Sequence, residues 1–113
     1  MSKNTTTNIN QIPDNDPAEI KRAAKRMGLR KLPIREAKKV CQYAWEVYEF
    51  DGRVLMADRV GRTFDYRWRA FDSIEDASGW GRQNRVVDEC TAEFGRSALV
   101  IRQWLNDIGA VES

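Results

Sequence analysis

The chain has 113 residues, of which 42% are hydrophobic and 32% charged, and its formal net charge is +2. This length allows one domain, and the composition excludes a chain that is disordered throughout. The apolar runs are too short for a membrane-spanning helix, and the polar first residues do not predict a secretory signal. We therefore expect a cytoplasmic protein without a membrane partner.

The basic residues are concentrated in one part of the chain. Residues 21–39 contain nine Lys or Arg and a single acid, Glu36, whereas the segments 1–20 and 40–113 are both net negative. Such a concentration indicates an anionic partner for residues 21–39. The alternative is a solvated helix surface without a binding role.

We do not expect an enzyme, because the chain contains no histidine. Histidine is a frequent zinc ligand and the usual base beside a catalytic serine or cysteine. The two cysteines, Cys41 and Cys90, are far apart in the sequence and form no C-x-x-C pair. We predict that both pack as small hydrophobic residues without a disulfide, and that the protein takes no metal or other cofactor.

Residues 1–15 are rich in Asn and Thr and predict a disordered tail, followed by a single globular domain over 16–113. Asp16 is an N-cap residue directly before a proline, which indicates a helix over about 17–27. Gly28 follows this helix at the position of a left-handed C-cap.

A second helix begins near Pro33, and we end it near Gln42, because the residues that follow alternate in polarity as a strand does. The dipeptide at 51–52 favours a hairpin turn after that strand. Two further strands are expected over 53–60 and 63–71.

The last part of the chain predicts two more helices. Ser73 resembles the start of a capping box, with the well-formed helix over about 82–94, and Ser97 can cap a final helix that ends before Gly109. The fold class is therefore α+β, with two N-terminal helices, a three-stranded antiparallel meander and two C-terminal helices. In the helix over 82–94, the residues expected to face the core are Val86, Val87, Cys90 and Phe94.

One motif lies in residues 20–39, which have the sequence I-K-R-A-A-K-R-M-G-L-R-K-L-P-I-R-E-A-K-K. A small residue, an apolar residue, a glycine and two more apolar residues stand at Ala24, Met27, Gly28, Leu29 and Ile34. This pattern resembles the helix-turn-helix of bacterial and phage DNA-binding proteins. A proline in the first turn of the second helix departs from the motif. The alternative interpretation is a plain amphipathic helical hairpin.

The resemblance implies a small, non-enzymatic regulator of transcription whose partner is double-stranded DNA. The basic residues of the motif would face the major groove or the phosphates, and the strand pair over 53–71 would act as a wing against the DNA backbone. The candidate nucleic-acid contacts are Lys21, Arg22, Lys25, Arg30, Lys31, Arg35, Lys38, Lys39, Arg67 and Arg69.

The aromatic residues of the third strand permit two interpretations. Phe64, Tyr66 and Trp68 alternate with polar neighbours and share one face of the strand. This face would either stack on single-stranded bases or form the buried side of the sheet.

A second hypothesis is a protein-binding inhibitor or adaptor, of the kind that phages and plasmids encode against a host nucleic-acid-handling or defence complex. The chain is small, lacks a catalytic set and contains four Trp. Trp80, between two glycines, and Trp104 are the candidate partner contacts. A homodimer would form through the C-terminal helix that contains Trp104 or through an exposed sheet edge.

Overall fold

A five-stranded antiparallel sheet forms the centre of the molecule in a computed structural model, which describes residues 8–61, 65–78 and 85–111. The strands follow one another in chain order, β1-β2-β3-β4-β5, so β1 and β5 are the two outer strands of the described sheet. In chain order the elements are α1 (Pro17–Met27), β1 (Arg30–Lys31), α2 (Ile34–Val40), β2 (Glu46–Phe50), β3 (Arg53–Arg59), β4 (Asp65–Phe71), α3 (Ile74–Ala77), β5 (Asp88–Glu93) and α4 (Ser97–Asp107).

The prediction of a three-stranded meander between two pairs of helices is wrong, because the sheet has two further strands. β1 is only two residues long and occupies the turn expected between the first two helices. β5 occupies residues 88–93 of the region predicted as a helix over 82–94, of which residues 82–84 lie outside the described residues. The apolar residues before and within β5 fit helical spacing, but Val87 and Cys90 are exposed rather than turned to the core.

Helices cover both faces of the sheet, since successive strand residues point to opposite sides. We name the two sides the α1/α4 face and the α2/α3 face. Leu55, Ala57 and Trp68 pack with Ile20, Ile101 and Leu105 on the α1/α4 face. On the α2/α3 face, the core contains Val54, Met56, Phe71, Ala37, Val40 and Ala77.

Local capping explains where the predicted helices begin and end. The Asp16 carboxylate accepts a hydrogen bond from the backbone N–H of Glu19 at 3.3 Å, and Gly28 closes α1 with a φ of +116°. The prediction of α1 is therefore confirmed at both ends. Ser73 caps α3 through the N–H of Asp76 at 3.0 Å, as expected. None of the helices in the described ranges is long and apolar enough to cross a bilayer.

A longer connecting segment than predicted separates α2 from β2. α2 ends at Val40 rather than near Gln42, and β2 begins only at Glu46. The backbone N–H of Trp45 nevertheless donates to the carbonyl oxygen of Ala57 at 2.8 Å. This bond fixes the backbone of Trp45 against β3, just ahead of β2.

The chain packs on the core before α1 begins. Ile9 and Ile12 are buried among residues of α1 and α4, ahead of the domain start that we predicted at residue 16. The Arg102 guanidinium of α4 donates to the carbonyl oxygen of Ile12 at 2.8 Å and forms an ion pair with Asp14. Residues 1–15 are mostly polar, so their composition did not predict that these two isoleucines are buried.

Candidate nucleic-acid interface

The basic segment surrounds the β1 edge of the sheet. α1 ends shortly before β1 and α2 begins shortly after it, so three short elements place their charges around one strand. All nine of these basic side chains are exposed. We call them the basic surface, which consists of Lys21, Arg22, Lys25, Arg26, Arg30, Lys31, Arg35, Lys38 and Lys39.

Two arginines of α1 share one acid. The Glu19 carboxylate accepts from Arg22 at 2.8 Å and from Arg26 at 3.0 Å. The hydrogen bonds from Arg26 and Arg22 hold the pKa of Glu19 below its usual range, so this carboxylate stays ionised at neutral pH. One negative charge therefore offsets part of the positive charge of α1.

The two residues of β1 contact acids of β2. Arg30 donates through two guanidinium nitrogens to Glu49, at 2.9 and 3.0 Å. The Lys31 ammonium lies 3.8 Å from Glu46, a glutamate that also accepts from the hydroxyl of Tyr48. Burial and this bond to Glu46 raise the pKa of Tyr48, so the phenol stays protonated and acts as a donor. The β1 cations are thus partly neutralised.

Five cations of the basic surface form no ion pair with any described residue. One of them, Lys38, contacts a neighbouring ring and a carbonyl oxygen, and the other four are Lys21, Lys25, Arg35 and Lys39. They stand in two i,i+4 pairs, one on the outer side of α1 and one on α2. Like charges at this spacing destabilise a helix by about 0.2–0.5 kcal/mol per pair. An anionic ligand bound beside these four charges would remove this repulsion.

Exposed aromatic residues lie beside the α2 part of the basic surface. The Lys38 ammonium lies 5.7 Å from the centroid of the Trp45 ring and donates to the carbonyl oxygen of Gln42 at 3.0 Å. Trp45 is 50% exposed and Tyr43 is 53% exposed. Sequence reasoning placed both aromatics in a strand and did not identify them as exposed neighbours of the basic surface.

The structure does not bring Arg67 and Arg69 to the basic surface. Both lie on β4 and point to Asp58 on the α2/α3 face, where the guanidinium nitrogens lie 2.8 Å and 3.6 Å from its carboxylate oxygens. The bond to Asp58 raises the pKa of Arg67. Arg69 is only 8% exposed, and its Nε has no hydrogen-bond partner among the described residues. These two ion pairs join β3 to β4.

The aromatic face of β4 forms part of the core. Trp68 is buried on the α1/α4 face, where Tyr66 packs against the same cluster. Their ring centroids lie 6.2 Å apart in an edge-to-face arrangement. The interpretation as a buried sheet face therefore holds for these two residues, and Phe64 lies outside the described residues.

The two N-terminal helices do not pack against each other as a helical hairpin. Ala24 and Leu29 belong to the core of the α1/α4 face, whereas α2 buries its residues on the opposite side of the sheet. Ile34, which would anchor a recognition helix, is 59% exposed. The basic residues are therefore presented from both sides of β1.

The structure also locates most of the tryptophans and cysteines for which the sequence made predictions. Trp104 is buried in α4, with 4% of its surface exposed, and Trp80 lies outside the described residues. Cys41 is buried with a free thiol, as predicted, but the prediction for Cys90 is wrong, because this free thiol is exposed on β5.

Comparison with known proteins gives no match: no protein-family model fits the chain, and no curated protein or solved structure is similar to it.

Proposed function

We propose that this protein is a non-enzymatic DNA-binding regulator that holds DNA through the basic surface. The observation that carries the proposal is a set of four exposed cations that have neither an ion pair nor a cation–π contact among the described residues, Lys21, Lys25, Arg35 and Lys39. Phosphate oxygens would neutralise them and release the counterions condensed on DNA, which is the main source of sequence-independent affinity.

The mode of contact differs from that of a recognition helix. Since α1 and α2 lie on opposite faces of the sheet, their cations would reach phosphates on either side of the β1 edge. Such contacts fix the position of a protein on the duplex without reading its sequence. Four neutralised phosphates predict a slope of roughly −3.6 for log K against log salt concentration. The affinity would then fall roughly 100-fold between about 50 and 200 mM salt.

Fluorescence anisotropy of a labelled random duplex tests this proposal. Lys39→Gln removes one unpaired cation of α2, so we expect several-fold weaker binding and a salt slope that is smaller by about 1. Arg96→Gln is the matched control, because Arg96 is exposed, lies close to β5 and forms no ion pair with a described residue. Absence of binding at low salt contradicts the proposal, as does an equal loss of affinity in both variants.

The exposed aromatics favour single-stranded DNA as a second ligand of the same surface. Trp45 and Tyr43 stand beside α2, and a base stacked on an aromatic ring contributes about 1–3 kcal/mol. We expect Trp45→Ala to weaken binding of a labelled oligothymidine and to leave duplex binding unchanged. If both ligands lose the same affinity, stacking by Trp45 is excluded.

A further inference from the structure

A groove lies between α4 and β5, at the edge of the sheet opposite to the basic surface. It encloses a cavity of about 530 Å³, a size typical of ligand sites. Part of its wall is apolar and comes from the sheet and from one side of α4. The apolar residues that line it are Leu55, Trp68, Ala70, Ala92, Leu99, Val100 and Trp104.

Two indole groups in these walls lack hydrogen-bond partners. The Nε1 atoms of Trp68 and Trp104 are buried, and neither has an acceptor among the described residues. A buried donor without an acceptor is unfavourable, and most buried donors in proteins are paired. Both donors are covered, so a bound segment would meet the indole rings of this wall rather than their N–H groups.

Acidic side chains surround the groove. Three of them belong to β5, namely Asp88, Glu89 and Glu93, and Asp107 belongs to α4, against one basic lining residue, Arg96. The exposed Cys90 thiol lies among them, and burial together with Asp88, Asp107 and Glu89 raises its pKa. The field of these carboxylates therefore acts on the groove itself and favours a positively charged ligand.

β5 also offers a free backbone edge. It pairs with β4 on one side, and no other strand of the described chain pairs with it on the other. Edge strands of this kind accept an additional strand unless their side chains prevent it. The acids of β5 would repel another acidic strand, including a second copy of β5, but they would attract a basic one.

The register of the sheet decides which side chains an added strand would meet. Cys90 lies opposite Trp68, so it points to the α1/α4 face and into the groove. Glu89 lies opposite Arg69 and points to the other face, and Glu93 shares that side by alternation. Successive side chains of a strand added to β5 would therefore point alternately into the groove and to the opposite face, where Glu89 and Glu93 lie.

We propose that the groove and the edge of β5 bind an extended segment of a partner protein in which basic and large aliphatic residues alternate. The backbone of this segment pairs with β5, its aliphatic side chains fill the cavity, and its basic side chains contact Glu89 and Glu93. The second hypothesis from the sequence was a protein-binding inhibitor or adaptor, and this proposal specifies the kind of segment that its partner would contribute. It does not depend on DNA binding.

Protection of Cys90 measures occupancy of the groove directly, because Cys90 is exposed and Cys41 is buried. The probe is a capped heptapeptide in which lysine and leucine alternate. We expect alkylation of Cys90 by N-ethylmaleimide, followed by mass spectrometry, to slow about tenfold when nine-tenths of the protein is occupied. A peptide of the same composition with the lysines grouped at one end, and one with glutamate in place of lysine, should give no protection.

Variants at the acidic residues test whether the charge of β5 is needed for protection by the peptide. Glu89→Gln combined with Glu93→Gln should weaken protection by the alternating peptide at least about threefold at low salt. Glu75→Gln, an exposed acid of α3 away from the groove, should leave it unchanged. No protection by the alternating peptide overturns the proposal, and so does equal protection by the grouped or acidic peptide. The basic surface is intact in these variants, so duplex binding tests the DNA proposal independently.

Discussion

The two edges of the sheet differ in length, cover and charge. β1 is two residues long, lies between α1 and α2 and is surrounded by cations, whereas β5 is six residues long, exposed and acidic. Four strand spacings separate them, roughly 19 Å, which is about twice the Debye length at physiological salt. Each edge therefore acts through its own local field. A net charge of +2 conceals two surfaces that suit ligands of opposite sign.

The largest expected effect compares Trp68 beside the acidic edge with Trp45 beside the basic surface. Trp68 forms the buried wall of the groove, and Trp45 is half exposed beside the basic surface. Urea denaturation should show that Trp68→Ala lowers the free energy of unfolding by about 3–5 kcal/mol. Trp45→Ala should lower it by less than about 1 kcal/mol, since it removes only an exposed cation–π contact. Equal losses in the two variants would contradict this assignment of burial.

A smaller effect is expected on DNA affinity at the basic surface. Loss of an acid there should strengthen binding, whereas loss of a cation should weaken it. Glu19→Gln removes the carboxylate that pairs with Arg22 and Arg26 and so releases two cations. Duplex affinity should rise by a few-fold at low salt, and the salt slope should become more negative by about 1. Glu75→Gln removes an acid from α3 and serves as the control. A decrease in affinity for Glu19→Gln would show that Glu19 positions these arginines for DNA instead of competing with it.

The smallest effect concerns the acidic edge. Because burial and then Asp88 raise the pKa of the Cys90 thiol, this thiol keeps its proton to higher pH than an ordinary cysteine. Only the thiolate reacts with maleimides, so alkylation of Cys90 at pH 8 should be slower than that of a free cysteine peptide. Asp88→Asn should move the pH profile of the rate to lower pH. A profile that does not move would exclude a contribution of this carboxylate to the field in the groove.

Local signals in the sequence predicted one edge better than the other. The start and end of α1 depend on Asp16 and Gly28, residues that act on their immediate neighbours, and both were predicted correctly. The cations that flank β1 are contiguous in the sequence, so their concentration on one surface was predicted, whereas the sheet edge between them was not. The two-residue strand between the helices had no signal of its own, because its stability comes from pairing with β2.

The acidic edge is assembled from distant parts of the chain, and the sequence did not predict it. Val87 and Cys90 fit the spacing of a helix, yet residues 88–93 pair with β4 and expose most of their side chains. Their conformation is decided by the vacant edge of β4, which no local pattern describes. The groove further requires Trp104 from α4, a residue that we expected to contact a partner from the surface. It is buried, and it contributes a wall instead.

Hydrogen–deuterium exchange with each ligand in turn tests most directly the claim that the two edges act separately. A bound duplex should protect backbone amides in residues 21–45 and leave residues 85–96 unchanged. The alternating lysine–leucine peptide should protect residues 88–93 and leave residues 21–45 unchanged. Protection of the same segment by both ligands, or of β5 by the duplex, would contradict the account.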